Sequence, residues 1–383
     1  MDAWDVCHHQ VKVPPYSTAL WSGYLYDGLN GTSGCSPQIT VANPNNTYRV
    51  YIRSKGLVQG NYIASQDDGQ GGAQVEFYTS TVVQGFSNSA AVNATVPVAL
   101  PTGIYGDVFY VLMASSYGLY RHSGGLSGRN FKFRVFDPAA GSDLGSRYTF
   151  GEVYIKRAQA NRKFVITHEL GHNISDWVAG GTYTGSYDYV PISFHCGDEE
   201  GYHHKIDSIE NIEVAFAEGF AHFYSVDIWN SHYEENCTFR YYASTVWVCK
   251  DEDEIEQRLS TVDCEGGADN SKPNRTTAVS GAQCDDVGTT TVPPFPQAYL
   301  ETNCTDDPLS GKGTELDWMR QFWDMHADTV TSVSMNSILS WIDTSFDWPN
   351  YGHYYELDSR ANAIGGTLND KWDSHKYYNG IVH

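Results

Sequence analysis

Residues 163–172 read KFVITHELGH, and this stretch contains the pattern that decides how the fold is interpreted. His168 and His172 stand four positions apart, so on a helix both imidazoles leave the same face, one turn from each other. Apolar residues recur around them at helical spacing, namely Phe164, Val165, Leu170, Ile174 and Trp177. The stretch therefore predicts a buried helix that presents two imidazoles in one direction.

Glu169 follows the first histidine, and this combination suits metal-assisted hydrolysis. Two imidazoles one turn apart can reach a single tetrahedral zinc ion. A carboxylate beside the ion can accept a proton from an activated water molecule. Gly171, between the histidines, costs about 1 kcal/mol relative to Ala in a helix interior, which indicates that another element or a metal approaches closely there. The pattern favours a zinc-dependent hydrolase with Glu169 as the general base.

A zinc site needs a third protein ligand, and Glu218 is the candidate that the sequence offers. It lies in a stretch of helical composition that continues to about Trp229. Its neighbours are Ala, Phe and Gly, where an unpaired carboxylate would carry a desolvation cost of several kcal/mol that a bound cation removes. Glu210 and Glu213 have polar neighbours and are interpreted as solvated acids of the first helical turn.

These segments resemble the gluzincin metallopeptidases, the thermolysin-like group that binds zinc through H-E-x-x-H and a glutamate on a later helix. His168, His172 and Glu218 match the ligand positions of that group, and Glu169 matches its general base. Residues 217–221, AEGFA, look like the E-G-[FW]-A pattern of several secreted members. The gap between His172 and Glu218 is longer than in thermolysin, so the resemblance supports the clan and the ligand set and not a particular family. It implies a zincin-like fold and zinc as the cofactor.

Two other groups of zinc peptidases would require different residues at positions after the motif. A metzincin would have Gly and His at the positions of Ser175 and Val178, so that interpretation fails. An aspzincin would use an aspartate after a Gly-Thr segment. Asp188, after Gly181-Thr182, is a loose match and stays open as an alternative ligand.

The group that stabilises the transition state is left open by the sequence. His222 lies four residues after Glu218 and shares its helical face, so it could orient a ligand, donate to an oxyanion or be a core histidine. Tyr354 and Tyr355 are further oxyanion candidates among 27 tyrosines. His195, His203 and His204 occupy a polar segment and are interpreted as surface residues, with a place in the lining of a substrate cleft as the alternative for one of them.

Eight cysteines favour an oxidising compartment. They occur at positions 7, 35, 196, 237, 249, 264, 284 and 304, without a C-x-x-C pair of the kind that holds structural zinc. Five of them fall in a segment rich in Asp, Thr, Gly and Pro, where disulfides would stabilise a cysteine-rich insertion around residues 234–310. Cys7 with Cys35 is the one pairing we predict. Secretion follows as the expected localisation, with free thiols in a cytosolic enzyme as the alternative.

The net charge of −22 limits the classes of binding partner that we expect. Phosphates would be repelled, so nucleic acid is excluded as an expected partner, and cationic peptides are favoured. The acidic run at residues 251–254 lacks EF-hand spacing, so a solvated acidic face is preferred and calcium is the alternative. The chain shows no secretory signal and no run of eighteen apolar residues, which predicts a mature form without a membrane span.

Strand-like and helical patterns predict an α+β fold. Residues 1–97 contain short alternating runs and are assigned to a small β-rich accessory domain, followed by a zincin-like catalytic domain at residues 98–383. In that second domain we expect a mixed sheet, a helix at residues 107–121, strands at 131–136 and 148–155, and a mostly α-helical lower lobe. The resemblance to the gluzincins implies that the strand at residues 151–155 forms a sheet edge on which an extended peptide substrate could lie.

A secreted zinc metallopeptidase is therefore the predicted function. The alternative is an extracellular adhesion or carbohydrate-binding protein whose zincin-like domain is inert. Aromatic residues near the start of the chain, Trp4, Trp21, Tyr24 and Tyr26, would suit stacking against sugars, although such residues more often belong to a core.

Overall fold

The computed structural model describes part of the chain, in segments separated by gaps. The described residues are 7–13, 18–24, 47–74, 76–78, 83–84, 102–123, 125–139, 145–149, 151–178, 210–229, 236–237, 247–249, 256–258, 262–263, 312–313, 315–327, 331–345, 354–376 and 381. The chain divides into two compact units, one comprising Met1–Glu169 and the other Leu170–His383.

A mixed β-sheet forms the first unit, with one long helix packed on it. Its strands are β1 Cys7–Val13, β2 Thr18–Tyr24, β3 Thr47–Val58, β4 Asn61–Asp67, β5 Ala73–Gln74, β6 Glu76–Tyr78, β7 Val83–Gln84, β8 Asn130–Phe136, β9 Arg147–Thr149 and β10 Glu152–Lys156. The main order is β2-β1-β3-β4-β8-β10-β9; β5 pairs with β4, and β6 and β7 pair with β3. The β4–β8 and β8–β10 pairs are parallel, and the remaining pairs are antiparallel.

Alternating burial explains why these strands form. In β8, Phe131, Phe133 and Val135 are buried while the residues between them are more exposed, as a strand with one face on a core requires. Helix α1, Ile104–Arg121, supplies the opposing layer and contacts β3, β4 and β8. Its buried apolar stripe matches the spacing in the sequence, so the predicted helix at residues 107–121 is confirmed.

The position of β10 corrects one expectation. We expected residues 151–155 to form a sheet edge, but β10 pairs with β8 on one side and with β9 on the other. Among the described strands the edge is β9, whose three residues pair antiparallel with β10. The edge position was implied by the resemblance, and strand alternation could not test it, because alternation indicates which face of a strand is buried and not which strands lie beside it.

Helices dominate the second unit. They are α2 Lys163–Val178, α3 Ile212–Trp229, α4 Glu315–Ala327, α5 Met335–Ser345, α6 Tyr354–Ile364 and α7 Gly366–His375. The division between the units falls inside α2, which is one continuous helix. Short antiparallel pairs accompany the helices: β11 Glu210–Asn211 with β16 Lys312–Gly313, β12 Asn236–Cys237 with β15 Val262–Asp263, and β13 Trp247–Cys249 with β14 Glu256–Arg258.

Helix α3 is buried on all sides, and aromatic rings fill the space between it and α4. All its described side chains from residue 214 to residue 228 are buried, as expected of a core helix. The Phe216 ring lies edge-on to Trp318 and Phe322, with centroids 4.9 and 5.4 Å apart, and Phe223 stacks on Phe322 at 5.6 Å. Trp318 also stacks on Trp372 of α7.

The described residues show an α+β protein with a mixed sheet and several helices, as predicted. The zincin-like assignment is finer than this description and stays a prediction. The accessory domain at residues 1–97 also stays a prediction, because its boundary at residue 97 lies outside the described residues. Strands β4 and β8, which lie before and after this boundary in the sequence, pair in one sheet. None of the described helices combines the length and apolarity that crossing a bilayer requires.

Candidate metal centre

Helix α2 carries the H-E-x-x-H motif in its middle. His168, Glu169 and His172 are all buried. The Thr167 hydroxyl donates to the Lys163 carbonyl oxygen at 3.0 Å, so the polar residue before the motif is satisfied within the helix. The predicted buried helix is confirmed, and with it the placement of both imidazoles on one helix face.

Gly171 lies where α3 comes closest to α2. A Cβ at this position would lie 3.0 Å from the Ala221 Cα and 3.3 Å from the Tyr224 Cβ. The sequence predicted that another element approaches the helix here, and this element is α3. The missing side chain lets the two helix backbones approach each other closely here.

Glu218 meets His172 in the core between these helices. The His172 Nε2 lies 3.2 Å from the Glu218 Oε2, although the residues are 46 positions apart in the sequence. Both side chains are buried, at 5% and 6% relative exposure. The structure therefore brings together the second histidine of the motif and the acid chosen from the sequence as its partner.

A group of three buried residues has the composition and spacing of a metal site. His168, Glu218 and His222 each offer one ligand atom, and these atoms all lie within 4.8 Å of one another. Imidazole nitrogen and carboxylate oxygen are both donors to divalent metals of the zinc type. Such a cluster can hold a metal ion. It contains two of the three ligands predicted from the sequence, His168 and Glu218, together with His222, and it does not include His172.

Glu315 is a member of this neighbourhood that the sequence interpretation missed. Its Oε2 lies 2.8 Å from the His222 Nε2, and its side chain is 1% exposed. Glu315 is one of two acids in the first turn of α4, a position where acids are common because they interact with the helix dipole. Its 93-residue separation from His222 gave no local signal for the contact.

The same two helices also hold a second histidine–carboxylate pair. The His326 Nε2 lies 3.2 Å from the Asp227 Oδ1, and the His326 Nδ1 lies 2.7 Å from the Val333 carbonyl oxygen. Burial lowers the pKa of His326, but hydrogen bonds to both partners and the charge of Asp227 outweigh it and raise the pKa above 6.5. For the Tyr224 hydroxyl, whose charged form is an anion, burial instead raises the pKa, and the charge of Asp227 raises it further.

Other residues singled out in the sequence either lie in a different element from the one predicted or lie outside the described residues. Glu210 lies in β11, before α3 begins at Ile212, so its assignment to the first helical turn was wrong; Glu213 does lie in that turn. Tyr354 and Tyr355 begin α6, but their side chains lie outside the described residues. Also outside them are Asp188, His195, His203, His204, Cys35 and the acidic run at residues 251–254. The disulfide pairing and the calcium alternative therefore stay predictions.

Comparison of the chain with models of protein families, with curated proteins and with solved structures finds no match.

Proposed function

We propose that this protein is a secreted zinc-dependent peptidase, with His168, His172 and Glu218 as metal ligands and Glu169 as the general base. The observation that carries the proposal is the 3.2 Å contact between the His172 Nε2 and the Glu218 Oε2. Zinc–ligand bonds of about 2.0–2.1 Å in a tetrahedron separate neighbouring ligand atoms by about 3.3 Å. The 3.2 Å separation suits a hydrogen bond between the two groups and is also compatible with a zinc ion bound by both.

Burial supports a cation at this place. Glu218 lies in an apolar helix whose neighbouring side chains are also buried, and an ionised carboxylate there carries a desolvation cost of several kcal/mol. Neutral imidazoles offset that cost in part, since each can donate one hydrogen bond. A divalent ion between the carboxylate and the imidazoles offsets it more fully because it supplies the opposite charge.

Glu169 is the residue that we assign to proton transfer. It neighbours His168 on α2 and is buried like the proposed ligands. When bound, zinc lowers the pKa of a coordinated water molecule and polarises a carbonyl group. The Glu169 carboxylate would accept the proton of the attacking water and return it to the leaving amine of the substrate. The net charge of −22 favours cationic peptides as substrates.

Metal content and peptide cleavage test the proposal directly. We expect one zinc ion per full-length chain, peptide cleavage that a chelator abolishes, and recovery when zinc is added back. Glu169→Gln should keep the metal and lower kcat by at least about 100-fold, the usual contribution of a general base. Glu152→Gln, which changes an acid of β10 paired with Arg134, is the control and should cleave at the wild-type rate.

Two results would contradict the proposal. If the Glu169→Gln variant cleaved peptides at the wild-type rate, Glu169 would not be the general base. A metal-free protein that cleaves no peptide and is retained on glycan resins would favour the carbohydrate-binding alternative.

A further inference from the structure

A carboxylate–histidine pair joins α3 and α4 beside the proposed metal centre. The His222 Nε2 lies 2.8 Å from the Glu315 Oε2, and both side chains are buried, at 7% and 1% exposure. His222 follows Glu218 by four residues on α3, so the two side chains lie on the same helix face. Their ligand atoms belong to the group that lies within 4.8 Å.

Gly219 explains how Glu315 reaches His222. A Cβ at position 219 would overlap the Trp318 Cβ and would lie 2.7 Å from the Glu315 carbonyl oxygen. The absence of a side chain therefore lets the first turn of α4 lie directly against α3. At this distance the Glu315 side chain can meet an imidazole that projects from the next turn of α3.

We propose that His222 is a further ligand of the metal centre and that Glu315 is its positioning residue. This inference rests on the proposed function, because it assigns further residues to the same metal. Metal-binding histidines commonly engage a carboxylate through the second ring nitrogen, which fixes the tautomer and the ring orientation and raises the basicity of the ligand. With the Nε2 engaged by Glu315, the Nδ1 of His222 is the ring atom assigned to the metal.

The inference is tested by metal affinity in the full-length chain. We expect Glu315→Gln to weaken zinc binding by about 10–100-fold, measured by competition with a chelating dye. Asp317→Asn is the matched control, because Asp317 is the other buried acid in the first turn of α4. The control should bind zinc with wild-type affinity. Equal losses in both variants would show that charge at the start of α4, rather than contact with His222, matters.

Cobalt provides a readout that does not depend on catalysis. When Co²⁺ replaces zinc, His222→Gln should change the visible absorption spectrum, because a nitrogen ligand is lost. Adding Glu315→Gln to the His222→Gln variant should cause no further loss of zinc affinity, because Glu315 acts through the imidazole. A wild-type spectrum for His222→Gln would overturn its assignment as a ligand. A further loss in the double variant would overturn the positioning role.

Failure of this inference is distinguishable from failure of the proposed function. A wild-type chain that binds no zinc contradicts both. A wild-type chain that binds zinc and cleaves peptides, together with His222 and Glu315 variants of unchanged affinity and spectrum, contradicts this inference and leaves the peptidase intact. Circular dichroism of the metal-free variants separates loss of affinity from loss of folding.

Discussion

Replacing Gly219 with Ala tests how closely α3 and α4 pack. The new Cβ would overlap the Trp318 Cβ and lie 2.7 Å from the Glu315 carbonyl oxygen, whereas nonbonded carbon atoms attract each other best at about 3.5–4.0 Å. The Glu315 oxygen is a backbone atom, and the Trp318 Cβ is bonded directly to the backbone of its own residue. Rotation of a side chain therefore moves neither atom away. The two helices must separate by about 1 Å to restore ordinary contact.

The magnitude follows from two opposing effects. Overpacking a filled core costs about 1–3 kcal/mol, and contact with backbone atoms places this site at the upper end. Ala in a helix interior is favoured over Gly by about 1 kcal/mol. We therefore expect Gly219→Ala to lower the free energy of unfolding by about 2 kcal/mol. For a unit of this size the corresponding fall in Tm is about 4–8 °C.

Urea unfolding followed by circular dichroism at 222 nm measures this change, with an unchanged m-value as the check on two-state behaviour. Gly145→Ala is the control, since a Cβ there meets nothing within 4 Å. Its stability should change by less than about 1 kcal/mol. If Gly219→Ala were as stable as the wild type and bound zinc equally well, the close packing of α3 on α4 would be refuted.

Three further predictions follow from buried charges. Saturating zinc should raise the free energy of unfolding by about 4 kcal/mol at 1,000 times its Kd, and His172→Ala should remove most of this gain, as thermal melts with and without chelator would show. Because folding raises the pKa of His326, its stabilising interaction is fully present below pH 6.5 and is lost as the pH rises through the folded value; Asp227→Asn should remove this fall in urea titrations between pH 5 and 8. Arg157→Ala should lower the free energy of unfolding in urea by about 2 kcal/mol, since it leaves the buried Asp67 carboxylate without its ion-pair partner, with only the Gly69 N–H bond of 3.0 Å remaining among the described residues.

Each of these has an outcome that contradicts it. Equal melting temperatures with and without zinc would exclude a folded-state metal site of useful affinity. An unchanged pH profile in Asp227→Asn would show that other groups cause the dependence. Arg134→Ala, which breaks a more exposed ion pair with Glu152, should cost about 1 kcal/mol or less, so a loss as large as that of Arg157→Ala would contradict the burial argument.

Local sequence patterns predicted the elements that carry the site. Apolar spacing around His168 and His172 indicated α2, and Gly171 indicated a close neighbour, because both signals arise from packing that each residue experiences directly. Glu218 was found for a similar reason, since an acid among apolar residues conflicts with its surroundings unless a partner is present. The structure places its carboxylate beside His172.

Contacts between distant segments were missed because nothing local reveals them. Glu315 resembles any acid at the start of a helix, and its contact with His222 depends on how α4 packs on α3. The inner position of β10 was missed for the same reason, because it depends on strand order. Glu210 lies in the two-residue strand β11, before α3. It pairs with Gly313, which is about a hundred residues later in the sequence, so no local pattern indicated this strand.

The narrow border strand of the sheet affects how this protein behaves toward other chains. β9 offers three residues, and the Arg147 guanidinium lies over the rings of Phe136 and Tyr154, 5.0 and 4.9 Å from their centroids. A foreign strand that docked there would gain few backbone hydrogen bonds and would meet a positive charge. This border of the described sheet is therefore a poor site for strand pairing with a second chain.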